Sequence, residues 1–174
     1  LAPDQAALVS RRQMELQTLF HELSHSLGPG SLVLAGRATT VDAELRELHP
    51  ALEESKAAVM GMWNLLSMMQ IGELRFGIVE AHGQGAAAQY GYLLEQGAFA
   101  FDPARQLYVI DPARMEAGLR ALLVEELMLQ ATGDYAGTRA FLDRYTRLDA
   151  AAEAAIARMA AIPVDIRPVY PDGV

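Results

Sequence analysis

His21-Glu22-Leu23-Ser24-His25 lies in a segment, Asp4 to Leu27, whose apolar residues Leu16, Leu19, Phe20, Leu23 and Leu27 recur at helical spacing. Pro3 and Asp4 are start signals, and Gly28-Pro29-Gly30 stops the pattern. A helix here puts the two imidazoles one above the other, about 5 to 6 Å apart at Cβ, so both can ligate one metal ion. Glu22 lies a step further round, beside the metal's water rather than on the metal, where a carboxylate serves as general base. At about 100° per residue the histidines point away from the leucine stripe and share a face with Met14 and Thr18. The expectation is that the stripe anchors this helix and the histidines do not belong to it.

Outward from this segment the chain reads as mainly α. Asp42 to Leu48 predicts a short helix, and Pro50 opens a long one running to about Gln70. That second helix is apolar nearly all round (Ala57, Ala58, Val59, Met60, Met62, Trp63, Leu65, Leu66), the pattern of a helix buried on most sides. Glu73 to Leu94 predicts a third long helix, whose glycines, Gly91 among them, imply that something packs closely against it. Ala98 to Phe101 and Gln106 to Ile110, separated by a Pro-containing turn, predict a β-hairpin. Helices then follow from Asp111-Pro112 to about Thr132, from Gly133-Asp134 through Arg147, and from Asp149 to Ala161. Ser31 to Thr40 reads as loop or short extended chain, and the proline-bearing end from Ile162 to Val174 as extended. The expected architecture is therefore one helical domain over 1–174 with one small β-hairpin near 98–110.

Composition narrows the function classes. Hydrophobic residues make up 52% of the 174, too many for a disordered segment. The net charge of -8 argues against a nucleic-acid partner, which needs clustered Lys and Arg. The longest uncharged run, Ala57 to Gly72, falls short of the ~20 residues that cross a bilayer, so no membrane partner is expected. With no cysteine, a metal must be held by histidine and carboxylate, and a reducing, cytoplasmic setting is expected. No signal pattern opens the chain, and a first residue of Leu rather than Met leads us to expect a piece of a longer protein.

A third ligand has to come from outside the motif. The metzincin extension requires a histidine at position 31, which is Ser31. The other established solution is a glutamate on a following helix, and Glu53-Glu54 offers two. Glu54 shares a face with Ala57, Ala58, Gly61 and Leu65, and a carboxylate aimed at a packed region is costly unless compensated, which a metal would do. Either glutamate also suits the positive end of a helix dipole near Pro50. His82, in Glu80-Ala81-His82-Gly83, reads by itself as a structural histidine in a glycine-rich contact.

His21-Glu22-Leu23-Ser24-His25, Glu53-Glu54-Ser55-Lys56-Ala57 and Glu80-Ala81-His82 in one helical chain together resemble the dipeptidyl peptidase III family of zinc metallopeptidases. Arg75-Phe76-Gly77, with Gly97-Ala98-Phe99 further on, looks most like the plant and bacterial homologues grouped with Nudix hydrolases, although nothing in the chain resembles a Nudix box. The resemblance implies that His21, His25 and Glu54 are zinc ligands, that Glu22 is the base, with Glu53 left as the dipole partner, and that His82 stabilises the transition state. It also implies a two-lobed parent of which this chain is the helical, zinc-bearing lobe. The better-known members have one more residue in the motif, H-E-x-x-G-H, and an Arg where this chain has Ala86.

The function expected is thus zinc-dependent hydrolysis of short peptides, with Zn2+ as cofactor. A zinc-stabilised interaction module without turnover, and a zinc hydrolase of a non-peptide amide, are the other classes the motif admits. Surface left bare by the missing lobe is expected to favour self-association.

Overall fold

The computed structural model describes residues 2–6, 8, 11–70 and 86–159. Its helices are α1 (Pro3–Ala6), α2 (Arg11–His25), α3 (Val41–Leu45, continued by a 3-10 turn at Arg46–Leu48), α4 (His49–Gln70), α5 (Ala86–Glu95), α6 (Pro112–Thr132), α7 (Tyr135–Tyr145) and α8 (Ala150–Met159). The expected first helix is seen as α1 and α2. Only the last part of the expected third helix, α5, is described; the rest of it, with His82, lies outside the described residues, as does the C-terminal stretch.

Among the described residues there are two antiparallel hairpins. β3 (Phe99–Asp102) pairs with β4 (Leu107–Ile110) in the register Phe99 to Ile110, where a hairpin was expected. The other, β1 (Ser31–Leu34) with β2 (Arg37–Thr40), corrects the expectation of a single hairpin. Its turn is Ala35-Gly36, both at positive φ (49° and 79°), the two-residue geometry that matches strand twist. Alanine rarely adopts that conformation, so the usual Asn-Gly or Asp-Gly signal is missing from the sequence.

Local chemistry explains the helix limits. Thr40 caps α3 and Asp111 caps α6 through side-chain oxygens that accept from Ala43 N and Arg114 N; Pro112 follows in the first turn of α6, and Gly133 ends it in the left-handed conformation. The core gathers Leu45, Leu52 and Val59 with Leu119, Leu122, Tyr92 and Phe141, so α4, α5, α6 and α7 share one apolar interior. At Gly91 a Cβ would collide with the Tyr145 carbonyl, which accounts for one of the glycines that weaken α5.

α2 packs chiefly against α4, and the seam is not the one its leucines predict. Leu19, Leu23 and Leu27 are 53%, 51% and 49% exposed, while Gln13, Gln17 and Ser24 are buried. The expectation that the leucine stripe anchors this helix is therefore wrong. Closeness of approach decides the matter: a Cβ on Gly61 would lie 2.9 Å from His21 N, so α4 meets the α2 backbone directly. Such a seam admits small and polar side chains that can be satisfied in place. Ser24 does so by donating from Oγ to Phe20 O at 2.6 Å. Among the described residues no helix is long and apolar enough to cross a membrane.

Candidate metal centre

At the seam of α2 and α4, His25 lies beside Glu53, His21 beside Glu54, and Gly61 against the backbone of Phe20 and His21. The turn that separates His21 from His25 brings their rings edge to face, with centroids 4.8 Å apart. Their Nε2 atoms stand 3.2 Å apart. Glu54 supplies Oε2 at 3.3 Å from His21 Nε2 and Oε1 at 3.7 Å from His25 Nε2. His21, His25 and Glu54 are all partly buried, and one ligand atom from each lies within 4.8 Å of the others.

These spacings suit a tetrahedral metal ion. Ligands bound tetrahedrally at ~2.0 to 2.1 Å stand about 3.3 Å apart, close to the separations here. Tautomer chemistry points the same way. Glu53 Oε1 lies 3.0 Å from His25 Nδ1, and a carboxylate can only accept there, so the proton sits on Nδ1 and the Nε2 lone pair faces His21 and Glu54. Two ring nitrogens and a carboxylate directed at one point are a donor set that a cation would satisfy.

Glu53 is more than the helix-dipole partner it was expected to be. Its Oε1 also pairs with Lys56 Nζ at 2.8 Å, and its Oε2 accepts from Gln130 Nε2 at 2.8 Å. Burial pushes this carboxyl up, but the hydrogen bonds from Lys56, His25 and Gln130, with the Lys56 charge, outweigh it and hold its pKa below the ordinary value. Lys56, 1% exposed, donates further to Ser24 O at 2.7 Å and Leu27 O at 2.8 Å, so its three protons meet three oxygens.

Behind this layer Ser55 Oγ donates to Glu126, and Gln89 Nε2 donates to Ser55 O at 3.3 Å. Glu126 is fully buried, and burial pushes its carboxyl up to about 8 against the opposing Ser55 hydrogen bond.

Of the residues singled out from sequence, the structure brings His21, His25 and Glu54 together. Glu22 is exposed one position round α2, and His82 lies outside the described residues. Sequence reasoning missed Lys56, Gln130 and Glu126. A signal existed: Glu126 and Gln130 continue the apolar stripe of Leu119 and Leu122 along α6, so polar side chains at those positions are buried.

No protein-family model matches the chain. Nudix hydrolase 3 of Arabidopsis thaliana is 31% identical over 194 residues, covering 98% of this chain and 25% of that protein. Among solved structures, DPP III from Caldithrix abyssi superposes with a TM-score of 0.87 at 38% identity, covering 97% of this chain and 36% of that one. Dipeptidyl-peptidase III from Corallococcus sp. strain EGB gives 0.86 at 31%, covering 97% and 35%. The chain thus spans about a third of the solved relatives and a quarter of the plant protein.

Proposed function

We propose that this chain, dipeptidyl peptidase III-like over nearly its whole length, carries the zinc site and general base of a peptidase acting on short peptides. One observation carries the reading: His21 Nε2, His25 Nε2 and a Glu54 oxygen converge at the spacing of tetrahedral ligands. Two imidazoles and one carboxylate are the donor set of catalytic zinc, which leaves a fourth position open, whereas structural zinc is closed and relies on thiolates this chain lacks. When bound, zinc polarises the scissile carbonyl and lowers the pKa of a water toward ~7.

The chain's own side chains do the rest. His25, its Nδ1 proton committed to Glu53, offers Nε2; His21 and Glu54 complete the holder. Glu22 is on the exposed side of α2, next round the helix from His25, where its carboxylate takes a proton from the attacking water. A purely structural site has no use for such a base. His82 donates to the developing charge on the carbonyl oxygen, a role that rests on the family resemblance. With Ala86 where better-known members have Arg, that anchor for the peptide backbone is absent.

Substrate positioning falls to the part of the longer relatives that this chain does not span. Correct positioning supplies ~7 to 11 kcal/mol of a barrier, so the isolated chain binds zinc yet cleaves slowly. The absence of cysteine fits a reducing compartment such as the cytoplasm, and the net charge of -8 weighs against nucleic acid.

The test is zinc analysis and peptide hydrolysis by the full-length parent, its Glu22→Ala variant and the isolated chain. The variant keeps zinc and loses hydrolysis, and the isolated chain is slower by orders of magnitude. Loss of zinc from the variant would make Glu22 a ligand and sink the assignment.

A further inference from the structure

Lys56 is the most deeply buried charge at the seam of α2 and α4, and its bonding is of two kinds. One pair of donors goes to Ser24 O and Leu27 O, carbonyls at the end of the helix that carries both histidines. Ser24 O also accepts from Leu27 N at 3.2 Å, and a cation at the end of a helix meets the negative end of its dipole. The remaining donor goes to Glu53 Oε1, the oxygen that also receives His25 Nδ1. Lys56 therefore fixes the backbone on either side of His25 and, separately, the carboxylate that orients the His25 ring.

Gln130 reaches the same carboxylate from a third helix, α6, through Nε2 to Oε2 at 2.8 Å, and is itself fully buried. With one oxygen held by Lys56 and the other by Gln130, Glu53 has little freedom to rotate. The His25 tautomer then follows from a rigid acceptor rather than from solvent.

We infer that Lys56 and Gln130 are positioning residues for the metal centre, acting through Glu53 to hold His25 with Nε2 turned toward His21 and Glu54. This rests on the metal reading above, but not wholly, since the ring's tautomer is set before any ion binds. Partners of this kind around metal-bound histidines typically change metal affinity by ~10- to 100-fold.

The experiment uses the full chain as Lys56→Met and Gln130→Met, each compared with wild type in two ways. Nitrogen-15 NMR of the metal-free protein at pH 8 reads the His25 tautomer, and competition with a chromophoric chelator reads the zinc Kd. Wild type holds the Nδ1–H form; both variants mix tautomers and bind zinc at least ~10-fold more weakly, with helical circular dichroism retained. A merely structural role would lower Tm while leaving tautomer and Kd as in wild type, and that result overturns the inference. Should Lys56→Met fail to fold, Gln130→Met decides by the same criteria, because it removes a Glu53 contact without touching the end of α2. Should wild type bind no zinc, the metal reading falls, and the tautomer comparison alone decides this one.

Discussion

Glu53 and Glu54 are adjacent on α4 yet face different atoms of the same histidine: Glu53 Oε1 stands 3.0 Å from His25 Nδ1, and Glu54 Oε1 stands 3.7 Å from His25 Nε2. One carboxylate meets Nδ1 of the ring and the other lies beside its Nε2. Glu54→Ala should therefore abolish tight zinc binding, whereas Glu53→Ala should weaken it by ~10- to 100-fold. Chelator competition on both variants measures this, and equal losses would contradict the division of labour.

Stability should fall as pH rises because of Glu126, whose folded pKa of about 8 lies above the ordinary glutamate value of 4.5. Between these values the folded protein holds a proton that the unfolded chain releases. The contribution is complete below the unfolded pKa and is lost as pH rises to the folded one, by at most ~1.4 kcal/mol per pH unit. Glu126→Gln keeps an oxygen for Ser55 and removes the titration. Denaturant midpoints between pH 5 and 8 should flatten in that variant; an unchanged slope would assign the pH dependence to other groups.

Leu19 and Leu23 on α2, with Leu27 just beyond its end, are half exposed and should make the isolated chain self-associate. Replacing Leu19 and Leu23 with Ser should return sedimentation velocity to that of a monomer with little change in Tm, since half of each side chain already meets solvent. A chain that is monomeric before substitution would show that these leucines need no cover.

His82→Ala should lower the kcat of the full-length parent by ~10²-fold or more with zinc content unchanged, if its ring donates to the oxyanion. Unaltered kcat would return His82 to a structural role.

The sequence by itself determined the helical class, the start of α4, the limits of α6, the hairpin at 99–110, and the pairing of His21 with His25, because each follows from spacing or from a capping residue within a few positions. Local chemistry also offered Glu53 or Glu54 as the candidate third ligand of a metal. Only the tertiary structure decided which faces those helices bury. The leucines of α2 announced an inward stripe, but Gly61 brings two backbones so close that Gln17 and Ser24 occupy the seam and the leucines turn outward. The roles of Glu53, Lys56 and Gln130 were likewise beyond reach, since their bonds join α2, α4 and α6 across 28, 29, 32 and 77 positions of sequence. Helical periodicity ranks the faces of one helix by polarity. It carries no term for how near a second helix comes, and that distance fixes whether leucine or serine fits between them.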